Sequence, residues 1–193
     1  MIDSHCHLDL LASKKDLNTA LERAKAAGLT RLMAPSINPH SWQTLQALNS
    51  EYQHLLPIDT ALGVHPYFLS SNECDLKNGI ASLSQEQLVK GQLYELENAA
   101  AMRHPSVKAI GETGIDGHIK VPLKLQQQVF NAHLNVAERC SLPVIVHHRK
   151  SHHLLLEAFK QARYQGEGVI HAFSGSVEVA KRYIERGFYL GIG

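Results

Sequence analysis

Apolar and polar residues follow a repeating order along the chain, in which short apolar runs alternate with longer amphipathic stretches. The short runs are rich in Val, Ile and Leu, which is typical of strands buried on both faces. The longer stretches repeat apolar residues every three or four positions, which predicts helices. Strands are predicted at 2–7, 29–35, 56–64, 107–113, 143–148, 168–173 and 188–192, and helices at 14–27, 39–49, 93–104, 123–140, 151–165 and 177–186. The less regular stretch 67–91 predicts a long loop followed by a helix.

Regular alternation of strands and helices predicts a parallel sheet, either a (β/α) barrel or a doubly wound sheet. No linker, low-complexity tract or internal repeat interrupts the pattern, so we expect a single domain over 1–193. A complete eight-stranded barrel typically takes ~250 residues, and this chain has 193. The predicted fold class is therefore α/β, as a TIM-type (β/α) barrel that is incomplete and holds about seven of the eight strands.

Composition places the chain among ordinary globular proteins, with 44% hydrophobic and 19% charged residues. A net charge of +1 excludes a global electrostatic footprint for nucleic acid, although a local basic patch stays open. Cys6, Cys74 and Cys140 form no CxxC pair, which favours a reducing compartment and a cytoplasmic location. No apolar window is long enough for a membrane span, so we expect no membrane association, and no obligate protein partner is evident.

Histidine is the outlier of the composition, with 13 residues. Several of these histidines, together with one glutamate, lie at the C-terminal ends of predicted strands, which share one face in a parallel barrel. That face carries the active site in barrels of this type, and imidazole and carboxylate are common metal ligands. Residues i and i+2 of a strand project to the same side, which would bring His5 and His7 together. The residues concerned are His5, His7, His65, Glu112, His147 and His171.

Each of these signals has a structural alternative. A histidine after an apolar run can be a hydrogen-bonded core residue, and Glu112 can cap a helix or form an ion pair. Packing alone does not explain three apolar strands that end in histidine, in ALGVHP, PVIVHH and GVIH. Together the signals predict one metal site. The histidines in polar or helical contexts are predicted to lie at the surface: His40, His54, His104, His118, His152 and His153.

Five motifs in order along the chain resemble those of the TatD family of metal-dependent hydrolases. They are DSHCHLD at 3–9, LGVHP at 62–66, AIGETGID at 109–116, LPVIVHHR at 142–149 and HAFSG at 171–175. The resemblance implies a (β/α) barrel with two divalent cations, Mg, Mn or Zn. It implies that His5 and His7 bind the first cation, that Glu112 bridges both and is catalytic, and that His147 and His171 bind the second.

The same resemblance places the substrate at the mouth of the barrel. His65 is implied to face the substrate phosphate, with Asp116 and Arg149 beside it as substrate-binding residues. A structural ion pair is the alternative for Arg149. The implied reaction is attack of a metal-activated water on a phosphodiester, with DNA ends as the expected substrate.

One feature of the resembling family has no match in the sequence. Family members continue to an eighth strand that supplies an aspartate to the first cation, and no residue here corresponds to it. We therefore expect weak or absent catalysis from this chain. The alternatives are a non-catalytic metal-binding fragment and a metal-dependent amidase or deaminase.

Overall fold

A computed structural model describes residues 1–12, 16–70 and 84–192 of the chain. The described residues contain seven strands in one sheet, in the order β1 to β7, and every neighbouring pair is parallel. The strands are β1 (Ile2–Asp3), β2 (Arg31–Pro35), β3 (Ile58–Leu62), β4 (Val107–Asp116), β5 (Val144–Arg149), β6 (Gly168–Ile170) and β7 (Phe188–Leu190). The sheet curls into a partial barrel, which confirms the predicted fold class, including the seven strands.

Helices follow most of the strands and cover the outside of the sheet. They are α1 (Leu8–Ala12), α2 (Leu17–Ala26), α3 (Pro39–Tyr52), α4 (Gln85–Met102), α5 (Leu123–Cys140), α6 (His152–Gln161) and α7 (Val177–Ile184), with a 3₁₀ turn at Pro66–Phe68. Apolar side chains of α4, α5 and α6 pack with those of β3 to β6 in the largest core cluster. Of the described helices, none is long and apolar enough to cross a membrane.

Local sequence explains where two of these helices begin. Asn38 precedes Pro39 and accepts a hydrogen bond from the Ser41 amide, while the Ser41 hydroxyl accepts one from the Asn38 amide. Ser84 and Gln87 form the equivalent capping box at the start of α4. These reciprocal bonds satisfy amides that the first helical turn leaves without partners.

The structure departs from the predicted elements in several places. The first strand ends at Asp3 rather than at 7, so His5 and His7 lie in the loop that follows it. Strand β4 continues to Asp116 instead of ending at 113. The helix predicted at the end of 67–91 and the one predicted at 93–104 are one continuous helix, α4, and residues 71–83 of the predicted loop lie outside the described part of the chain.

Two glycines of β4 let neighbouring strands approach closely. A Cβ on Gly111 would meet the Ile145 carbonyl oxygen at 2.5 Å, and a Cβ on Gly114 would collide with the His147 carbonyl oxygen. Both have positive φ, 148° and 156°, which side-chain-bearing residues rarely adopt. The glycines that flank Glu112 and Thr113 thus bring β4 against β5, and Glu112 beside His147.

Candidate metal centre

His5 and His7 converge although they lie outside a strand. The His5 amide donates to Asp3 Oδ1 at 3.0 Å, and the Cys6 amide donates to the Met33 carbonyl oxygen of β2 at 3.0 Å. These bonds fix the loop against the sheet. The His5 and His7 Nε2 atoms come within 3.3 Å of each other. The turn, and not alternation along a strand, therefore brings the two imidazoles together.

Glu112 lies at the centre of the histidines, with a side chain that is only 2% exposed. Its Oε2 is 3.1 Å from His5 Nε2 and 3.5 Å from His7 Nε2. Its Oε1 is 3.3 Å from His147 Nδ1. One carboxylate therefore contacts three imidazoles from two sides, as a bridging carboxylate requires.

The donor atoms fit divalent cations in kind and in spacing. Two ligand atoms on one ion, each at ~2.1 Å from it, lie ~3.0–3.4 Å apart in tetrahedral or octahedral geometry. The contacts of His5 and His7 with each other and with Glu112 are close to this range. Among the described residues, donor atoms that lie within 4.8 Å of one another form two groups: His5, His7 and Glu112, and His65, Glu112 and His147. Glu112 belongs to both groups.

Electrostatics hold the carboxylate in its charged form. Burial alone would raise the pKa of Glu112, but hydrogen bonds from His147, His5 and His7 outweigh it and keep that pKa well below its usual range. The bond to Glu112 in turn raises the pKa of His7. Burial would lower the pKa of His147, yet Glu112 and then Asp116 raise it. The cluster is thus an anionic centre that attracts cations, either protons or metal ions.

Asp116 contacts the His147 ring at Nε2, whereas Glu112 lies at Nδ1. The Asp116 side chain is fully buried, with Oδ2 at 3.1 Å from His147 Nε2, and Oδ1 accepts from the His118 amide at 2.7 Å. The family resemblance implies that Asp116 lies at the mouth, against substrate. The structure instead brings it into contact with the ring of a candidate ligand, a position from which carboxylates commonly orient metal-bound histidines.

His65 and His171 border the cluster on different sides. The His65 ring lies 4.3 Å from that of His147, and its Nδ1 accepts from the Tyr67 amide at 3.2 Å. The His171 ring stacks on His5, with centroids 3.4 Å apart and an interplanar angle of 9°. Burial lowers the pKa of each to about 4, so both are neutral at neutral pH. Neutral imidazole is the form that binds metals.

Arg149 extends from the end of β5 into solvent at the mouth. Its Nη1 donates to the Tyr67 hydroxyl at 3.4 Å. Among the described residues it forms no ion pair, so the structural alternative for Arg149 finds no partner there. The guanidinium is thus available to an anion.

Two residues that support the centre are not indicated by the sequence patterns. Buried Ser36 follows β2, where its hydroxyl accepts from the Gly63 amide at 2.8 Å and its carbonyl accepts from the Glu112 amide at 2.9 Å. His133 of α5 is fully buried, and its Nε2 accepts from the Val64 amide at 3.0 Å. The one signal for His133 in the sequence is its position in the apolar stripe of α5, because a histidine buried in such a stripe needs hydrogen-bond partners.

The predicted surface histidines are mostly exposed. His40, His54, His118 and His153 lie at the surface. His104 and His152 are half-buried: the His104 ring is hydrogen-bonded to Ser106, and the His152 ring to the Tyr183 hydroxyl and the Ser174 carbonyl oxygen.

A partial (β/α) barrel with a carboxylate shared among histidines at its C-terminal mouth is the arrangement expected of metal-dependent hydrolases. The family model described as TatD related DNase matches residues 2–193, and the chain belongs to this family.

Individual relatives agree with this assignment. The chain is 33% identical over 193 residues to the metal-dependent hydrolase YjjV of Escherichia coli, covering 100% of this chain and 67% of that protein. The crystal structure of YjjV superposes with a TM-score of 0.82 over 98% of this chain and 66% of that one, at 31% identity. A Citrobacter koseri protein named 3'-5' ssDNA/RNA exonuclease TatD is 29% identical over 100% of this chain and 66% of its own length. The chain thus spans about two thirds of the length of these relatives.

Proposed function

We propose that the chain forms the metal centre of a TatD-type hydrolase that cleaves phosphodiester bonds at the ends of DNA. The observation that carries this proposal is the Glu112 carboxylate, buried at 2% exposure and contacted by His5, His7 and His147. The name of the Citrobacter koseri relative, an exonuclease for single-stranded DNA and RNA, supports a nucleic acid substrate.

Two divalent cations, Mg, Mn or Zn, fit the donor set. His5, His7 and Glu112 would hold the first, and Glu112, His147 and His171 the second. Because the donor atoms of His65, Glu112 and His147 also converge, His65 is the alternative third ligand of the second cation. Comparing the metal content of His65→Ala and His171→Ala variants separates these two assignments.

Bound cations would supply Lewis acidity, lowering the pKa of water and polarising the phosphoryl oxygen. The residues of the chain orient the reactants. His65 Nδ1 accepts from the Tyr67 amide, so the proton of this neutral ring lies on Nε2, where it can donate to a phosphate oxygen. Arg149 offers a planar pair of donors to the same group.

Asp116 has a different role in this proposal from the one its motif implied. Its contact with His147 Nε2 leaves Nδ1, which faces Glu112, for the cation. We assign Asp116 to orienting His147 and increasing its basicity, rather than to contact with substrate.

The test compares Glu112→Gln with Glu97→Gln, since Glu97 is an exposed residue of α4 paired with Arg139. Both variants and the parent chain are loaded with Mn²⁺, desalted, and analysed for metal and for hydrolysis of a single-stranded DNA oligonucleotide and of bis(p-nitrophenyl) phosphate. Glu112→Gln should lose metal, and hydrolysis should fall by ~1000-fold, equivalent to about 4 kcal/mol of transition-state stabilisation. Glu97→Gln should match the parent.

Three results would contradict the proposal. A parent chain that holds two cations and hydrolyses neither substrate is a non-catalytic metal-binding protein. A parent chain that retains no metal does not form the proposed centre. A Glu112→Gln variant that retains all of the metal places the centre elsewhere.

A further inference from the structure

The loop that carries His171 turns sharply away from the sheet. This β6–α7 loop comprises residues 171–176 and joins β6 to α7. The His171 amide donates to the Val146 carbonyl oxygen at 2.9 Å. Ala172 then has a positive φ of 46°, a left-handed conformation that residues with a side chain rarely adopt. Such a turn persists only where neighbouring contacts hold it, so the contacts of this loop decide where His171 lies.

The His171 ring has few contacts of its own. It stacks on His5, with centroids 3.4 Å apart, and among the described residues no group hydrogen-bonds to it. His147 differs, because Asp116 contacts its Nε2 at 3.1 Å. Histidines that bind metals usually have such a partner on the second ring nitrogen, which fixes the orientation of the ring. The position of the His171 ring therefore depends on the backbone of its loop.

His152 connects this loop to helices α6 and α7. It is the first residue of α6, and its Nε2 lies 3.2 Å from the Ser174 carbonyl oxygen. A carbonyl oxygen only accepts hydrogen bonds, so His152 Nε2 carries the proton. Nδ1 of the neutral ring is then an acceptor, and the Tyr183 hydroxyl of α7 donates to it at 3.1 Å. Burial raises the pKa of Tyr183 to about 13, so this hydroxyl keeps its proton.

Aromatic packing adds to these hydrogen bonds. The Phe173 ring of the loop lies 5.4 Å from the His152 ring and 6.3 Å from that of Tyr183, between centroids. A Cβ on Gly175 would lie 2.8 Å from the Phe173 ring and 3.0 Å from His152 Nε2, so the backbone of the loop approaches His152 closely. His152 thus meets three consecutive residues of the loop, of which Ser174 is the middle one.

We infer that His152, oriented by Tyr183, is a positioning residue for His171. By holding the loop in its left-handed turn, it places the His171 ring against His5. The inference rests on the proposed function in one respect, the assignment of His171 as a ligand of the second cation. Sequence context predicts His152 at the surface, whereas this role depends on contacts with α7 and with Ser174, which is 22 positions away in the chain.

Two substitutions of His152 test this role. His152→Leu keeps an apolar side chain and removes both hydrogen bonds, whereas His152→Gln keeps an amide N–H that can donate to the Ser174 carbonyl oxygen. His153→Leu, which changes the exposed neighbour in α6, is the matched control. The first measurement is the nuclear Overhauser effect (NOE) between the His5 and His171 rings in the metal-free chain. This NOE should be present in the parent, in His152→Gln and in His153→Leu, and lost in His152→Leu.

The second measurement is the affinity for each of two Mn²⁺ ions, by titration. His152→Leu should weaken the binding of one ion about 10-fold, at the low end of the range for residues that orient metal ligands, and leave the other unchanged. His152→Gln should recover most of the loss. Urea denaturation shows whether His152→Leu folds. If it does not fold, Tyr183→Phe, which removes only the hydroxyl that orients His152, takes its place and should weaken the same NOE.

The outcomes separate this inference from the proposed function. An NOE that persists unchanged in His152→Leu, or in Tyr183→Phe where that variant replaces it, overturns the inference whatever happens to stability or to cleavage. So does a parent chain without the NOE. If the NOE behaves as expected while the parent binds two ions and cleaves no phosphodiester, the inference stands and the proposed function fails. If the NOE is lost and both ions keep their affinity, His152 positions His171, and His65 is the third ligand of the second cation.

Discussion

His147 is a half-buried imidazole of β5 and His133 is a fully buried one of α5, and their environments shift their pKa values in opposite directions. Carboxylates face both ring nitrogens of His147, Glu112 at 3.3 Å and Asp116 at 3.1 Å, and the pKa of His147 is raised. Backbone groups face both nitrogens of His133, whose Nε2 accepts from Val64 and whose Nδ1 donates to the Val129 carbonyl oxygen at 2.8 Å. Burial lowers the pKa of His133 to about 4.

The difference teaches that the partners of a histidine, and not burial alone, decide its chemistry. Carboxylate partners keep His147 ready to exchange a proton for a metal ion. Backbone groups are the partners of His133, and its neutral Nε2 accepts a hydrogen bond from the Val64 amide, one residue before His65. A structural histidine on a helix thus fixes the strand end that carries a candidate functional one.

The largest effect that tests this comparison is on stability. His133→Ala leaves a cavity in the core and a buried Val64 amide without a partner, so the free energy of unfolding should fall by about 4 kcal/mol. Urea denaturation of the metal-free chain measures it. His133→Gln, whose side-chain oxygen can accept from Val64, is the control and should recover more than half of the loss. A loss below about 1 kcal/mol for His133→Ala would remove the structural role assigned to this residue.

The fold and the centre of the site could be predicted because their signals are local. Apolar runs mark the parallel strands, and residues beside strand ends meet at one face whatever the details of packing. The expectation that His5, His7, Glu112 and His147 meet therefore survives the early end of β1, because the loop after Asp3 brings the first two rings together. The order of the strands is thus enough to predict where these residues meet, but not how their side chains are oriented.

The supporting contacts could not be predicted because their partners are distant in sequence. His133 and Val64 are 69 positions apart, and nothing near either residue indicates the pairing. The contact of Asp116 with His147 is a further case. The β4–β5 register shifts between Ile110 and Thr113, so simple alternation along β4 does not tell which side chains reach His147.

A second prediction uses the pH dependence of stability. The pKa of His133 is about 4 in the folded chain and 6.5 in the unfolded reference, so the unfolded state binds more protons between these values. The stabilisation that neutral His133 provides is fully present above pH ~6.5 and is lost as the pH falls toward ~4. Other histidines titrate too, so the informative quantity is the difference between the parent and His133→Gln.

As the pH falls from ~6.5 to ~4, the free energy of unfolding of the parent should fall relative to that of His133→Gln by at most about 3 kcal/mol, since each pKa unit is worth about 1.4 kcal/mol. Urea denaturation of both metal-free proteins at several pH values measures it. Parallel stability curves for the two proteins would mean that His133 does not titrate differently on folding.

The smallest expected effect concerns the carboxylate behind His147. Asp116→Asn keeps the shape and an acceptor for the His147 ring but removes the charge, so metal affinity should fall about 10–100-fold, as for other residues that orient metal ligands. Competition with a chromogenic chelator at neutral pH measures the affinity. Asp59→Asn, which removes a carboxylate paired with Arg31, is the control and should bind metal as the parent does.

The same variant decides between the two roles considered for Asp116. An orienting residue changes metal affinity, and that change persists when no DNA is present. A substrate-binding residue leaves metal affinity unchanged and raises KM for DNA. Because the Asp116 carboxylate is fully buried and contacts His147, we expect the first result. The second result would assign Asp116 to substrate binding. Of the two carboxylates that contact His147, Glu112 alone would then affect its chemistry.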